Sequence, residues 1–220
     1  MSGTQSFWQD FATERAAGPV FRDRYTVCVG TRLLDLPIRP LPDGVHAVAS
    51  FLANHAAFTV LDAITDAMGA RARALAPDIV VGLPTLGLGL APAVARACGH
   101  ARFVPLGTSR KFWYDAGLSE PIASITSPDA GKRLYLDPNL RGLLEGRRVL
   151  VVDDAVSTGR SIAAALALLA RIGVVPVAVS CAMAQTRRWA EQVRLPVQAV
   201  FETPLFTRAG NGWVAAAESP

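Results

Sequence analysis

Short apolar runs closed by turns, two of them followed by Ala/Leu-rich segments, constrain this chain more than any other feature. Residues 79–81, 102–105, 149–152 and 174–182 are such runs, and residues 197–201 add a fifth. They are too short for helices and lack the alternation of a strand with one wet face, so they read as strands buried on both sides. Between them, residues 90–98 and 161–171 read as helices that stop at Gly99 and Gly173. Strands alternating with helices imply an α/β fold, a parallel sheet with helices on both faces. The residues are 51% hydrophobic but only 7% aromatic, so the core must be built mainly of Ala, Val and Leu.

The flanks read differently. Residues 7–11 suggest a short amphipathic helix, followed by strands at 25–29 and 33–38 around Gly30, closed by the turn Pro42-Asp43-Gly44. From residue 47 to 75, Val48, Phe51, Leu52, Phe58, Leu61, Ile64 and Met68 recur at helical spacing, which predicts one or two helices before Pro77. This divides the chain into an N-terminal hood or hairpin segment (1–45), a core (46–185) and a C-terminal segment (186–220). The last segment can add to the hood, and its Gly-, Ala- and Ser-rich end from residue 209 is expected to be a loose tail.

Several function classes are set aside. The uncharged stretch 79–95 approaches the length of a membrane span, but Pro84, Pro92 and the glycines 82, 87 and 89 would break a spanning helix. The N-terminal residues show no basic segment followed by an apolar one, so a cytoplasmic protein is expected. Cys28, Cys98 and Cys181 form no C-x-x-C pair, and His46, His55 and His100 show no zinc spacing; reduced structural thiols are expected. The net charge is +4, but the arginines are scattered and neither end carries a helix-turn-helix pattern, which argues against nucleic acid. Phosphorylated small molecules explain the basic excess equally well.

The chemistry concentrates at residues 149–161, VLVVDDAVSTGRS. Ligands of open parallel sheets bind beyond the carboxyl ends of strands, where Asp153 and Asp154 fall. Ser157, Thr158, Gly159, Arg160 and Ser161 lead into a helix whose start the hydroxyls can cap, with free N–H groups facing outward, and such a terminus binds phosphate. Carboxylates beside a phosphate cradle repel it unless they address another part of the ligand, such as a sugar diol or a divalent metal. A sugar phosphate meets both conditions. The bland reading is a capped helix with surface acids. A signalling receiver domain also ends its first strand in acids, but too little chain follows Ser161 for that fold.

The stretch resembles the motif by which type I phosphoribosyltransferases bind 5-phosphoribosyl 1-diphosphate (PRPP). The resemblance implies that Asp153 and Asp154 hold the ribose hydroxyls, directly or with a magnesium ion. Ala155, Val156, Ser157, Thr158, Gly159, Arg160 and Ser161 would then wrap the 5′-phosphate, with the Ser157, Thr158 and Ser161 hydroxyls contributing. Leu83, Pro84, Thr85, Leu86 and Gly87, between a strand and a helix, resemble the family's pyrophosphate loop. A nucleotide P-loop fails there because Leu88 follows Gly87 in place of Lys, and a dinucleotide fingerprint fails at Pro92.

The segment 107–132 lies where these enzymes carry a lid, which would bring Arg110 and Lys111 to the pyrophosphate; Lys132 and Arg133 fit solvated surface charge as well. The aromatics Phe112, Trp113 and Tyr114 suit either a stacking role or a dimer interface. The resemblance implies transfer of phosphoribosyl from PRPP to a nucleobase with Mg2+ as cofactor, in a homodimer. A PRPP-sensing regulator without efficient catalysis is the alternative. Ser157 stands where hypoxanthine-guanine enzymes carry an aspartate, and Phe21-Arg22-Asp23 is similar to a stretch of adenine enzymes whose aromatic ring stacks on the base. An adenine-like purine is therefore favoured, with Phe21 and Arg22 as base contacts. Asp129-Ala130-Gly131 replaces the Glu-Tyr-Gly of adenine enzymes, which leaves the general acid/base unassigned and Asp129 a candidate.

Overall fold

The computed structural model describes residues 8–16, 18–122 and 132–216. The chain opens with β1 (Phe11–Ala12), β2 (Arg24–Val29), β3 (Arg32–Pro40) and β4 (His46–Ala49), then α1 (Phe58–Ala74), β5 (Ile79–Gly82), α2 (Gly87–Ala97) and β6 (Val104–Pro105). A short ribbon, β7 (Ser119–Pro121) and β8 (Arg133–Tyr135), precedes β9 (Val149–Val156), α3 (Arg160–Ala170), β10 (Ala178–Gln185) and β11 (Val197–Thr203). β12 (Leu205–Ala209) and β13 (Gly212–Ala215) complete it.

Strands β11-β10-β9-β5-β6 form a parallel sheet in that order, as the aliphatic runs predict. Side chains alternate along β9: Leu150 and Val152 enter the core beneath α1 and α2, whereas Val149 and Val151 enter the core beneath α3. All eight residues of β10 are buried, which explains why its sequence shows no polar alternation. α1 buries Val60, Ile64, Met68 and Ala72 at a spacing of four, so one stripe faces the sheet. Small residues let α1 and α2 close on each other: a Cβ on Gly69 would lie 2.5 Å from that of Ala97.

The second sheet is antiparallel, β1-β3-β4-β12-β13 with β2 also paired to β3, and it draws on both ends of the chain. Leu34, Leu36, Ile38, Phe206 and Trp213 fill its buried side. Three expectations fail here. Phe11–Ala12 is strand β1 and no helix covers residues 8–11, while Phe7 lies outside the described residues. Residues 47–49 belong to β4, which pairs with β3 and β12 and so lies in the antiparallel sheet instead of the core where the sequence reading put it. Ala47 and Ala49 alternate with half-buried neighbours, and two alanines give too weak a period to compete with the helical spacing around them. The tail is ordered through β13, because β13 pairs with β12 along its length and Trp213 and Phe21 exchange backbone hydrogen bonds of 2.7 Å in both directions; residues 217–220 lie outside the described residues. On the other side of the expected boundary, residues 197–203 extend the parallel sheet.

Candidate functional site

The site grows from a mismatch in strand length. β9 runs eight residues, four more than its aliphatic run, because β10 continues to pair with it at Asp153, Ala155 and Val156. On its other side β5 stops at Gly82, opposite Val152. The edge of β9 beyond Val152 is thereby left to the loop that follows β5. Leu83 N–H donates to the Val152 carbonyl at 2.9 Å, and the loop then turns through Pro84 and Thr85, joined by a cis peptide, into α2. Asp153 and Asp154 thus lie within the strand, not past its end as the sequence reading had it.

Asp153 is only 7% exposed. Its carboxylate accepts hydrogen bonds from the backbone N–H of Gly87, at the first residue of α2, and from that of Asp154 at 2.9 Å. The approach is so close that a Cβ on Gly87 would sit 2.8 Å from the Asp153 Cα, its Oδ1 and the Val152 carbonyl oxygen. Burial, and then the neighbouring Asp154 charge, push the Asp153 carboxyl well above the ordinary carboxylate range. Asp154 is half-buried and is raised as well, by burial, against the opposing hydrogen bond with Asp153. Asp153 therefore clamps the post-β5 loop onto β9, and Asp154 is the more accessible of the two acids.

The turn between β9 and α3 also departs from expectation. Gly159 stands just before α3 with φ +79°, and no side chain caps the helix. That left-handed conformation favours glycine, and a Cβ there would meet the Trp189 carbonyl oxygen, Gln192 and Val193, each at 3.1 Å. The Ser157 hydroxyl turns away from the helix to Gln185 Oε1 at 2.7 Å, and Gln185 Nε2 donates to the Ala49 carbonyl of β4 at 2.8 Å. Uncapped N–H groups at the start of α3 and a second helix start at Gly87 thus flank the acidic pair, and helix N-termini favour anions.

The remaining sequence candidates are carried by other segments. Phe21 makes an isolated bridge to Trp213 at the antiparallel sheet, its ring edge-on to Tyr25 and Phe206 at centroid separations of 5.1 and 5.9 Å, and Arg22 is exposed. Arg110 and Lys111 are exposed after β6, and among the described residues no hydrogen bond or ion pair joins either to the acids. The expected long loop is partly the β7–β8 ribbon, tied to α3 by the Arg171–Glu120 pair at 2.5 Å. Arg133 is occupied within the ribbon, donating to the Ser119 hydroxyl. Phe112 is 97% exposed beside Trp113, whose indole N–H donates to Asp137 at 3.1 Å. Asp129, Ala130 and Gly131 lie outside the described residues.

Sequence reading missed Gln185 and Thr203, register partners at the ends of β10 and β11. Both are buried, and among the described residues the Thr203 hydroxyl has no hydrogen-bond partner. The available signal was positional: Gln185 is the polar residue that ends the strand beside the one carrying the acids, and Thr203 ends the next strand out. No group of three or more His, Cys, Asp or Glu able to hold a metal occurs among the described residues. With Asp153 engaged by two N–H groups, the donor set suits an ion that arrives with substrate oxygens and fits a resident ion poorly.

These features define an α/β protein with two helix starts beside an acidic pair on the strand at the centre of a parallel sheet. A family model, the phosphoribosyl transferase domain, matches residues 51–204. The chain belongs to that family. It is 30% identical over 104 residues to adenine phosphoribosyltransferase 1 of Arabidopsis thaliana, a match covering 47% of this chain and 40% of that protein. It is 29% identical over 137 residues to the hypoxanthine/guanine phosphoribosyltransferase of Methanosarcina barkeri, covering 62% of this chain and 63% of that one. The chain thus spans less than two thirds of the length of these relatives. Among solved structures, adenine phosphoribosyltransferase of Saccharomyces cerevisiae, complexed with an imino-altritol bisphosphate and adenine, superposes with a TM-score of 0.60 at 21% identity, over 76% of this chain and 94% of that one. The Trypanosoma brucei enzyme, in complex with AMP, pyrophosphate and ribose-5-phosphate, gives 0.59 at 17% identity, over 82% and 76%. At such identities the likeness is one of fold.

Proposed function

We propose that the protein transfers the phosphoribosyl group of PRPP to a nucleobase, with release of pyrophosphate, and that an adenine-like purine is the preferred acceptor. The observation that carries this reading is the contact of Gly87 with Asp153, which sets two helix starts around one acidic pair. In this reading Asp154 accepts hydrogen bonds from the ribose hydroxyls while Asp153 fixes the loop from Leu83 to Gly87. Of that loop the Thr85 and Leu86 N–H groups remain for the pyrophosphate, since Leu83 and Gly87 donate to Val152 and Asp153 and Pro84 has none, and the N–H groups from Ser157 to Ser161 face the 5′-phosphate. A base nitrogen displaces pyrophosphate at ribose C1 through an oxocarbenium-like transition state, so fixed donors and orientation supply most of the catalysis. Arg110 and Lys111 approach the pyrophosphate as the segment after β6 closes. Magnesium carried by the PRPP oxygens would neutralise pyrophosphate charge when bound.

The same reading carries Phe21 and Arg22 as base contacts, a homodimeric assembly and a cytoplasmic setting. The two plant adenine enzymes among the relatives support the preference for adenine, as does Ser157 at a position where a carboxylate would serve oxopurines. Among the described residues no helix is long and apolar enough to cross a membrane.

Pyrophosphate release from PRPP and magnesium with a panel of free bases tests the proposal. Turnover with adenine is expected; saturable PRPP binding without turnover on any base would replace the transferase with a PRPP sensor. Asp153→Asn/Asp154→Asn should weaken PRPP binding sharply while the far-ultraviolet circular dichroism stays native, and unchanged affinity would remove the site.

A further inference from the structure

The Ser157 hydroxyl has one proton, and the structure fixes where that proton goes. Gln185 Nε2 lies 2.8 Å from the Ala49 carbonyl, which can only accept, so the amide orientation is set and Oε1 faces Ser157 at 2.7 Å. That oxygen also only accepts. Ser157 must therefore donate its single proton to Gln185, which leaves lone pairs for any other neighbour, and lone pairs repel a phosphate oxygen. Gln185 is only 9% exposed, and the loop is pinned on its other side where Gly159 packs against Trp189 and Val193.

We propose that Gln185 is a positioning residue. Through Ser157 it ties the loop between β9 and α3 to β4 of the antiparallel sheet. The loop then takes the 5′-phosphate on its N–H groups and on the Thr158 and Ser161 hydroxyls, without Ser157. This rests on the PRPP reading and adds two consequences: Ser157 and Gln185 act as one unit, and occupancy of the loop is felt in β4.

Affinities for PRPP with magnesium and for ribose 5-phosphate, measured by calorimetry on wild type, Ser157→Ala, Ser157→Thr, Gln185→Leu and the Ser157→Ala/Gln185→Leu double variant, test the unit. Each of Ser157→Ala and Gln185→Leu should weaken both ligands about three- to tenfold. The double variant should be no weaker than the poorer single one, and Ser157→Thr, which keeps the hydroxyl, should bind as wild type does. Hydrogen exchange of residues 46–52 should slow on PRPP addition in wild type and Ser157→Thr, and not in the variants that lack the tie. Ser157 is exposed, so its variants keep the test open if Gln185→Leu fails to fold. Losses that multiply in the double variant, or slowed exchange in β4 without the tie, would overturn the proposal alone. Failure of wild type to bind either ligand would overturn the PRPP reading and this inference with it.

Discussion

Replacing Gly87 by alanine tests whether α2 is pressed onto the acidic strand. The new Cβ would lie 2.8 Å from the Val152 carbonyl oxygen and from the Asp153 Cα and Oδ1, and ordinary contact begins at 3.4 Å, so a shift of about 0.6 Å is required. Two of those three atoms are backbone of β9, which β5 and β10 hold on either side through residue 152 and β10 holds beyond it. The helix start must therefore move. Overpacking of this kind costs about 1–3 kcal/mol, and the reduced freedom of the unfolded chain returns about 0.4–1 kcal/mol. A net loss of about 1–2 kcal/mol corresponds to a Tm lower by roughly 2–8 °C in a chain of this size. The shift also draws the Gly87 N–H from Asp153, and because a displacement near 1 Å can cost about a hundredfold in a positioned site, PRPP affinity should fall about tenfold. Gly89, two residues on in the same helix, is the control: nothing lies within 4 Å of its Cβ position, so Gly89→Ala should be neutral or stabilising by up to about 1 kcal/mol. Thermal unfolding followed by circular dichroism and PRPP titration by calorimetry read both quantities. Equal Tm and equal affinity for the two variants would refute the contact.

Three further outcomes follow from the same geometry. Because burial raises both acids, with Asp153 well above its ordinary value, the native state holds more protons than the unfolded one between about pH 3.8 and the raised values; stability of the ligand-free protein should fall as pH rises through that window. Asp153→Asn should flatten this dependence and raise Tm at pH 8 relative to wild type, and an unchanged slope would refute it. Gly159→Ala should destabilise by about 1–2 kcal/mol from its left-handed φ alone, with more from the 3.1 Å contacts, and should weaken PRPP binding; wild-type behaviour in urea and in calorimetry would contradict the role of the turn. In the native protein iodoacetamide should modify exposed Cys28 first, while Cys181, whose thiol burial and then the two acid charges push upward, should react only after unfolding; early labelling of Cys181 by mass spectrometry would contradict its placement.

The parallel sheet was legible because its strands are buried on both faces, which leaves unbroken aliphatic runs such as residues 79–81 and 149–152. The antiparallel sheet was half legible. β2 and β3 announce themselves around Gly30, but β4 is built on two alanines, and β13, a hairpin partner of β12 across Gly210-Asn211, gains a further bridge from Trp213 to Phe21, nearly two hundred residues away. At the site, the acids and glycines stood out, while the length of β9 did not. A hydropathy run ends at the first charge, but the strand continues as long as its neighbour does, and β10 reaches Gln185. For the same reason the Ser157 hydroxyl looked like a helix cap: its true partner is fixed by strand register 28 residues further on.

Register also accounts for paired acids beside two anion-favouring helix starts. Had β5 run two residues longer, Asp153 and Asp154 would both sit between paired strands and the post-β5 loop would have no edge to cross. Because β5 stops at Gly82, the loop takes that edge, and Asp153 spends its carboxylate on the Gly87 N–H at the positive end of α2. Burial and then the charge of Asp154 push the Asp153 carboxyl upward, against the two N–H groups that hold it down. Asp154 remains the more accessible acid, and under the proposed function it is the one left to accept hydrogen bonds from a sugar diol.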